Sequence, residues 1–323
     1  MKKLVSFWFK TTRAYSLPMS IMSWSVPFVF GIADKGNILY GIIALIGIIF
    51  AHLGVNMFDD FVDFLIAKKN ANADGEIVLQ KGKCTYLLNK ELTLKQLALV
   101  ICVLFTLAVL CGLYLTVKTG FTVVIITAIA GVIGLLYPLL SFVALGEIAV
   151  GVMFAPLLYT GVYYVMTGGF SWELFPVAIS TGILTIGLLH AHMFLDIDYD
   201  KPNNKRTLCL LAGSKENAVR NQLYIMALGY INIIAFVLMQ KIANIYLITL
   251  LSLPTALMLY KIMRAGIINP DEKIHTNIFF GILENMQEYK ENRNFMITFM
   301  TARNVMVEFT IFACVAKVLS EIF

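Results

Sequence analysis

The stretch NMFDDFVDF (residues 56–64) places three aspartates within five positions, directly after an apolar run of roughly twenty residues. A charged side chain at membrane depth is costly and is usually retained for function. In an α-helix, Asn56, Asp60 and Asp63 have the spacing that puts side chains on one face, and Asp59 lies beside them. A solvated helix end would also tolerate such a cluster, so its interpretation depends on the rest of the chain.

The composition is that of a membrane protein. The 323 residues are 59% hydrophobic and 14% charged, whereas soluble globular proteins carry about 25% charged residues. Most of the chain must therefore contact lipid or be buried between membrane helices. The net charge of +5 is modest, and it is better explained by a bias among the loops than by a nucleic-acid-binding surface.

Nearly uncharged stretches recur along the chain, and each approaches or exceeds the roughly 20 residues that a spanning helix needs. They predict an all-α membrane protein, a single domain over residues 1–323, with nine transmembrane helices. The predicted spans are 15–33, 37–58, 96–117, 120–138, 147–166, 173–195, 221–240, 242–260 and 296–318. The ninth contains Arg303 and Glu308, so a count of eight is the alternative.

The loops predict the orientation. Lysine and arginine concentrate in the segments 68–95, 201–220 and 261–293, and the alternate connections hold few of them. Cytoplasmic loops carry the excess of Lys and Arg. The N-terminus and the loops after the even-numbered spans are therefore predicted to be cytoplasmic, in a multi-pass protein of the cell (inner) membrane.

A second cluster ends the sixth predicted span, in the stretch FLDIDYDKPNNKRTL (residues 194–208). Asp196 and Asp200 are four residues apart and share a helix face, whereas Asp198 points elsewhere. Both aspartate clusters end even-numbered spans, so both are predicted to lie at the cytoplasmic side. Together they suggest one composite site.

The chemistry of this site follows from its ligands. All-oxygen ligands select hard cations such as Mg²⁺, which is usually held by a few carboxylates together with substrate phosphates. Lys205 and Arg206 could bind the same phosphates. The expected ligand is a diphosphate carried into a membrane cavity, which indicates a lipid diphosphate.

With these motifs in place, the sequence resembles the UbiA superfamily of intramembrane prenyltransferases, and within it the branch that prenylates 1,4-dihydroxy-2-naphthoate in menaquinone synthesis. TTRAYSLPMS (11–20) is similar to the opening segment of that family. LLYPLLSFVALGEIAVGVMFAPLLYTGVYYVMTG (135–168) is similar to its central segment. NMFDDFVD and DIDYDKPNNKRTL resemble its two Asp-rich motifs, in the same order and at equivalent helix ends.

The resemblance implies nine helices around a central cavity with cytoplasmic capping loops, built as two related four-helix halves plus a ninth helix. It also implies Mg²⁺-dependent transfer of a polyprenyl group from a prenyl diphosphate to an aromatic acceptor. By this resemblance, the catalytic and metal-binding residues are Asp60, Asp63, Asp196 and Asp200, with Asp59 as a further metal ligand; the diphosphate-binding residues are Asn56, Lys81, Lys205 and Arg206; and the residues near the acceptor or the allylic cation are Tyr137 and His192.

Several polar residues carry two interpretations each. His52 lies four residues before Asn56, which fits either a supporting hydrogen bond to the site or ordinary bonding between helices. Glu147, at the start of the fifth span, either functions or marks the water interface. Arg13 either reaches the site or anchors the first span. Lys81, in the capping loop, either contacts diphosphate or reflects the positive-inside bias.

The acceptor is the least constrained part of the prediction. The family usually has two asparagines and an arginine just before the second motif, where this chain has His192, Met193 and Leu195. Naphthoate is favoured, while 4-hydroxybenzoate or another aromatic or lipid acceptor stays open. A cation-coupled transporter and a prenyl-lipid-binding homologue without turnover are the alternatives outside this activity. The prenyl chain length and the oligomeric state are not indicated.

Overall fold

The computed structural model describes residues 2–69, 84–201, 205–268 and 293–322. Within these ranges the regular structure is helical throughout. Eight of the helical segments are long and apolar enough to cross a membrane. The predicted class, an all-α multi-pass membrane protein, is confirmed, and Lys81 lies outside the described residues.

A short amphipathic helix, α1 (Lys2–Thr11), precedes the spans. The remaining α-helices are α2 (Leu17–Ala33), α3 (Ile38–Lys69), α4 (Thr85–Leu88), α5 (Leu94–Thr119), α6 (Thr122–Leu140), α7 (Gly146–Val152), α8 (Leu158–Thr167), α9 (Leu174–Leu195), α10 (Ile197–Asp200), α11 (Leu208–Leu211), α12 (Lys215–Leu238), α13 (Leu253–Ile268) and α14 (Arg293–Ser320). A π-helical segment, Met153–Leu157, joins α7 to α8, and a 3₁₀ helix, Asn244–Ser252, leads into α13. Each of these two pairs forms one span.

Helix α3 is longer than the sequence predicted. It has 32 residues, which is about 48 Å at 1.5 Å per residue, whereas the hydrocarbon core is only about 30 Å thick. The first aspartate motif therefore lies within the helix, with further turns after it, because residues 59–69 stay helical. This rigid backbone holds the spacing from Asn56 to Asp63.

The ninth predicted helix exists as α14, and it is more polar than the eight spans. It packs against α2, α9, α13 and the 3₁₀ helix, and it buries Ile297, Val305 and Phe309. Near its far end, the Lys317 ammonium lies 2.9 Å from Oε2 of Glu173. These contacts hold α14 in the bundle although its own apolarity is low. The relation between the two predicted four-helix halves stays a prediction.

Helix α9 runs through the centre of the bundle, and 72% of the residues in its most apolar 18-residue stretch are buried. Helix α7 can approach α9 closely, because two glycines face each other across the contact. A Cβ atom on Gly151 would lie 2.7 Å from the carbonyl oxygen of Gly182, and one on Gly182 would lie 3.0 Å from that of Gly151. This approach brings the start of α7 next to the second aspartate motif.

Candidate active site

A cavity of about 1320 Å³ lies within the bundle, and both aspartate motifs line it. Most of its remaining wall is apolar and comes from α5, α6, α8 and α9. The structure places nine of the predicted site residues on this wall: Asn56, Asp59, Asp60, Asp63, Tyr137, His192, Asp196, Asp200 and Lys205. The polar residues needed for a diphosphate and the apolar surface needed for a prenyl chain therefore share one cavity.

A cation of the chain itself offsets part of the charge of the first motif. Arg13 forms an ion pair with Asp60, and its Nη1 atom lies 3.3 Å from Oδ2 of Asp59. Both carboxylates are buried. Arg13 has a left-handed backbone conformation, with φ of 53°, which is uncommon for a residue with a side chain. Arg13 thus reaches the site, as one of its two interpretations proposed.

Helix α4 supports the same motif. The hydroxyl of Tyr86 donates a hydrogen bond of 3.0 Å to Oδ2 of Asp60, and the Cys84 thiol donates to the Asp60 carbonyl at 3.3 Å. Burial raises the pKa of the Tyr86 hydroxyl, so this group stays protonated and can keep donating. Residues far from the motif in sequence therefore fix its position.

The second motif lies where the chain changes direction. Helix α9 ends at Leu195 and α10 begins at Ile197, with Asp196 at the junction. Asp200 is buried, and the Lys205 ammonium lies 3.6 Å from its Oδ1 atom. Asp198 points away, as predicted: its side chain is 83% exposed and pairs with Lys215 at 2.8 Å.

The segment that carries Lys205 is held by two contacts to the α6–α7 region. The Arg206 backbone N–H donates to the Ser141 carbonyl at 3.0 Å, while the Arg206 side chain is exposed and lies off the cavity wall. The Leu208 N–H donates to Oε1 of Glu147 at 2.8 Å. Glu147 is 3% exposed, so it does not mark the water interface, and it fixes the segment that follows the second motif.

A second polar layer lies deeper along α3. The two ring nitrogens of His52 lie 2.8 Å from the Ser16 hydroxyl and 2.5 Å from the Ser20 hydroxyl. The Asn56 amide nitrogen donates to Ser16 at 3.1 Å and to the Thr12 carbonyl at 3.3 Å. Because these bonds use the NH₂ group, they leave the Asn56 amide oxygen for a cation.

On the cavity wall, the His192 ring lies against Phe299 of α14 in a tilted arrangement, with ring centroids 4.5 Å apart. Arg303, one turn further along α14, also lines the cavity. Sequence reasoning treated Arg303 only as a charge that weakens the ninth span. The signal was a cation inside a long apolar helix, which is by default a candidate for function.

The protein side chains supply only part of the ligand set that a hard divalent cation needs. In the described ranges, no three His, Cys, Asp or Glu side chains come close enough to hold a metal ion. The carboxylates of the two motifs nevertheless line one cavity together with Lys205. All-oxygen protein ligands completed by substrate phosphates are the usual arrangement for Mg²⁺, so the residues fit Mg²⁺ bound with a diphosphate.

The fold and the cavity define a polytopic membrane protein whose internal cavity is mostly apolar and carries two carboxylate motifs. Residues 19–283 match the UbiA prenyltransferase family, and the chain belongs to this family. It is therefore a prenyltransferase, as the sequence motifs predicted.

Two relatives give the finer comparison. The chain is 23% identical over 261 residues to the 1,4-dihydroxy-2-naphthoate octaprenyltransferase of Bacillus subtilis (strain 168), covering 77% of this chain and 81% of the relative. It is 29% identical over 126 residues to the protein of the same name from Mycobacterium leprae (strain TN), covering 39% and 42%.

Two solved structures share the fold. A UbiA homologue from Archaeoglobus fulgidus bound to GPP and Mg²⁺ aligns with a TM-score of 0.62 at 14% identity, covering 96% of this chain and 99% of that chain. The apo structure of a UbiA homologue from Aeropyrum pernix K1 aligns with a TM-score of 0.63 at 12% identity, covering 95% and 99%.

Proposed function

We propose that the protein transfers a polyprenyl group from a prenyl diphosphate to the ring of 1,4-dihydroxy-2-naphthoate, with Mg²⁺ as cofactor. The observation that carries this proposal is the pairing of two aspartate motifs and Lys205 at one part of an otherwise apolar cavity. Two further findings support it. Both relatives are named for this naphthoate, and the Archaeoglobus homologue binds a prenyl diphosphate with Mg²⁺.

The polar part of the cavity binds the diphosphate. Asn56, Asp60, Asp63, Asp196 and Asp200 would hold Mg²⁺ against the diphosphate oxygens, and Asp59 would assist. When bound, the metal neutralises the charge that develops on the leaving pyrophosphate. Lys205 binds a phosphate oxygen directly, and its position depends on the contact between Glu147 and Leu208.

The apolar part of the cavity protects the reaction. The bond between the prenyl carbon and the diphosphate oxygen breaks, and its electron pair leaves with pyrophosphate. The remaining allylic cation would be quenched by water, which the apolar wall excludes. Tyr137, on the wall, presents an aromatic ring that can stabilise this cation.

The ring of the acceptor then supplies the new bond. The ring carbon that bears the carboxylate supplies an electron pair and forms the new bond to the allylic carbon. The bond to the carboxylate breaks, CO₂ leaves, and its electron pair restores the aromatic ring. The Lys- and Arg-rich loops favour a site that faces the cytoplasm in the inner membrane.

The test uses purified protein in detergent or nanodiscs with Mg²⁺ and one prenyl diphosphate. Dihydroxynaphthoate, 4-hydroxybenzoate and a neutral hydroquinone are supplied together, and products are identified by mass. We expect pyrophosphate release that EDTA abolishes and Mg²⁺ restores, with the prenylated naphthoquinol as the main product. A main product from another ring would overturn the acceptor assignment. The absence of pyrophosphate release would overturn the proposal that the protein catalyses this transfer.

A further inference from the structure

Arg303 is a half-buried cation on the wall of the cavity, on a helix that is otherwise packed into the bundle. Its Nε and Nη2 atoms lie 3.3 Å and 3.0 Å from Oδ1 of Asn304, a neutral amide. No ion pair joins Arg303 to a carboxylate anywhere in the described part of the chain. Its guanidinium therefore keeps donors for an anionic group that enters the cavity.

The depth of Arg303 separates it from the aspartates. Helices α9 and α14 run antiparallel, because His192 contacts Phe299 while Thr185 Oγ1 donates to Met306 Sδ at 3.4 Å. Arg303 is thus level with residues 188–189 of α9. That level is seven to eight residues before Asp196, or roughly 11 Å along the helix.

On α3, His52 is separated from the first motif by a similar length of helix. It precedes Asp60 by eight residues, which is about 12 Å of helix. The cavity therefore has one polar layer at the aspartates and another, more than two helix turns deeper, that contains Arg303. A diphosphate held at the first layer leaves the second for the acceptor.

We propose that Arg303 binds the carboxylate of the aromatic acceptor, an inference that rests on the proposed function. The planar guanidinium pairs with a carboxylate through two parallel hydrogen bonds.

The experiment compares Arg303→Gln with the unchanged protein on two acceptors that differ by one group. These are 1,4-dihydroxy-2-naphthoate and 1,4-dihydroxynaphthalene, which lacks the carboxylate. KM is measured for each acceptor and for the prenyl diphosphate. We expect the KM for the carboxylated acceptor to rise about tenfold or more, while the other two KM values stay within about twofold.

The matched control is Arg264→Gln, since Arg264 is an exposed arginine on α13 that lies off the cavity wall. It should leave all three KM values unchanged. Arg303→Lys serves if the glutamine variant fails to fold, and it should raise the same KM less because the charge stays. Equilibrium dialysis of the naphthoate against each variant measures binding without turnover.

The outcomes are distinguishable. An equal rise for both acceptors, or a rise only for the prenyl diphosphate, would overturn the role of Arg303 while the naphthoate prenyltransferase stands. A protein that prenylates only neutral rings would overturn both proposals. Selective loss of the carboxylated acceptor supports the assignment.

Discussion

Arg13 lies against the first aspartate motif, with its Nη1 atom 3.3 Å from Oδ2 of Asp59. It also pairs with Asp60, so two buried carboxylates share one guanidinium. Without a positive group, carboxylates this close would repel each other strongly. Arg13 therefore offsets part of the negative charge of the first motif, and a metal ion must compete with it for the same oxygens.

Replacing Arg13 should therefore tighten metal binding. In Arg13→Gln we expect the affinity for Mn²⁺, measured by electron paramagnetic resonance without prenyl diphosphate, to rise about fivefold, or ~1 kcal/mol. Arg13→Lys keeps the charge and should change the affinity less. Weaker Mn²⁺ binding in the glutamine variant would show that Arg13 supports the metal site instead of competing with it.

The aspartates should divide sharply into essential and dispensable ones. Asp60→Asn, Asp63→Asn, Asp196→Asn and Asp200→Asn should each lower kcat about a hundredfold or more, because each removes a metal or diphosphate contact. The matched control is Asp198→Asn, which should act mildly because that side chain is exposed and pairs with Lys215. Kinetics with unchanged thermal unfolding would separate chemistry from stability. An inactive Asp198→Asn would contradict this assignment.

Glu147 should act through the position of the segment 205–208. In Glu147→Leu, the Leu208 N–H loses its partner in a buried setting, which costs about 1–3 kcal/mol. We expect a lower Tm and a higher KM for the prenyl diphosphate, because Lys205 loses its support. Glu147→Gln retains an acceptor oxygen and should preserve both values. A glutamine variant as impaired as the leucine variant would mean that the carboxylate charge, and not the hydrogen bond, is required.

The contact between α7 and α9 should not accept a methyl group. Gly151→Ala would place Cβ 2.7 Å from the Gly182 carbonyl oxygen, and such overpacking costs about 1–3 kcal/mol. The control is Gly131→Ala on α6, where a Cβ meets nothing within 4 Å. Thermal unfolding in detergent should show a lower Tm for the first variant only. Equal Tm values would mean that the two helices separate at little cost.

Impermeant thiol labelling checks the orientation. In a background without native cysteines, Lys215→Cys should be protected in whole cells and Trp172→Cys should be labelled, because Lys215 belongs to the basic segment 201–220 and Trp172 to a connection predicted to lie on the other side. Both side chains are exposed. The reverse labelling pattern would show that the protein has the opposite orientation in the membrane.

Local sequence patterns predicted much of the fold and part of the site. Span length and apolarity identified the eight spans, and helical spacing turned Asp198 away from the cavity. These local patterns do not predict contacts between segments that are far apart in the sequence. Glu147 meets Leu208 only because α7 and α9 touch at Gly151 and Gly182. Arg13 reaches Asp60 through a left-handed turn that no local preference indicates.

The role of Arg303 also could not be predicted from the sequence. There it is a charge that lowers the hydropathy of a predicted span, and a hydropathy sum does not show whether a side chain faces lipid or a cavity. Only the packing of α14 beside α9 shows that it lies on the cavity wall. The position of the ninth helix was therefore the decisive unknown.

The polarity of α14 has a consequence for biogenesis. Helix α14 carries Arg303 and Glu308 near its middle, and the insertion machinery penalises an arginine at the centre of an isolated helix by about 2.5–3.5 kcal/mol. We therefore expect α14 to insert stably only after α2, α9 and α13, which it contacts, have packed together. Until then the cavity lacks the part of its wall that Phe299 and Arg303 supply, so we expect a newly made chain to be inactive until α14 has packed against these helices.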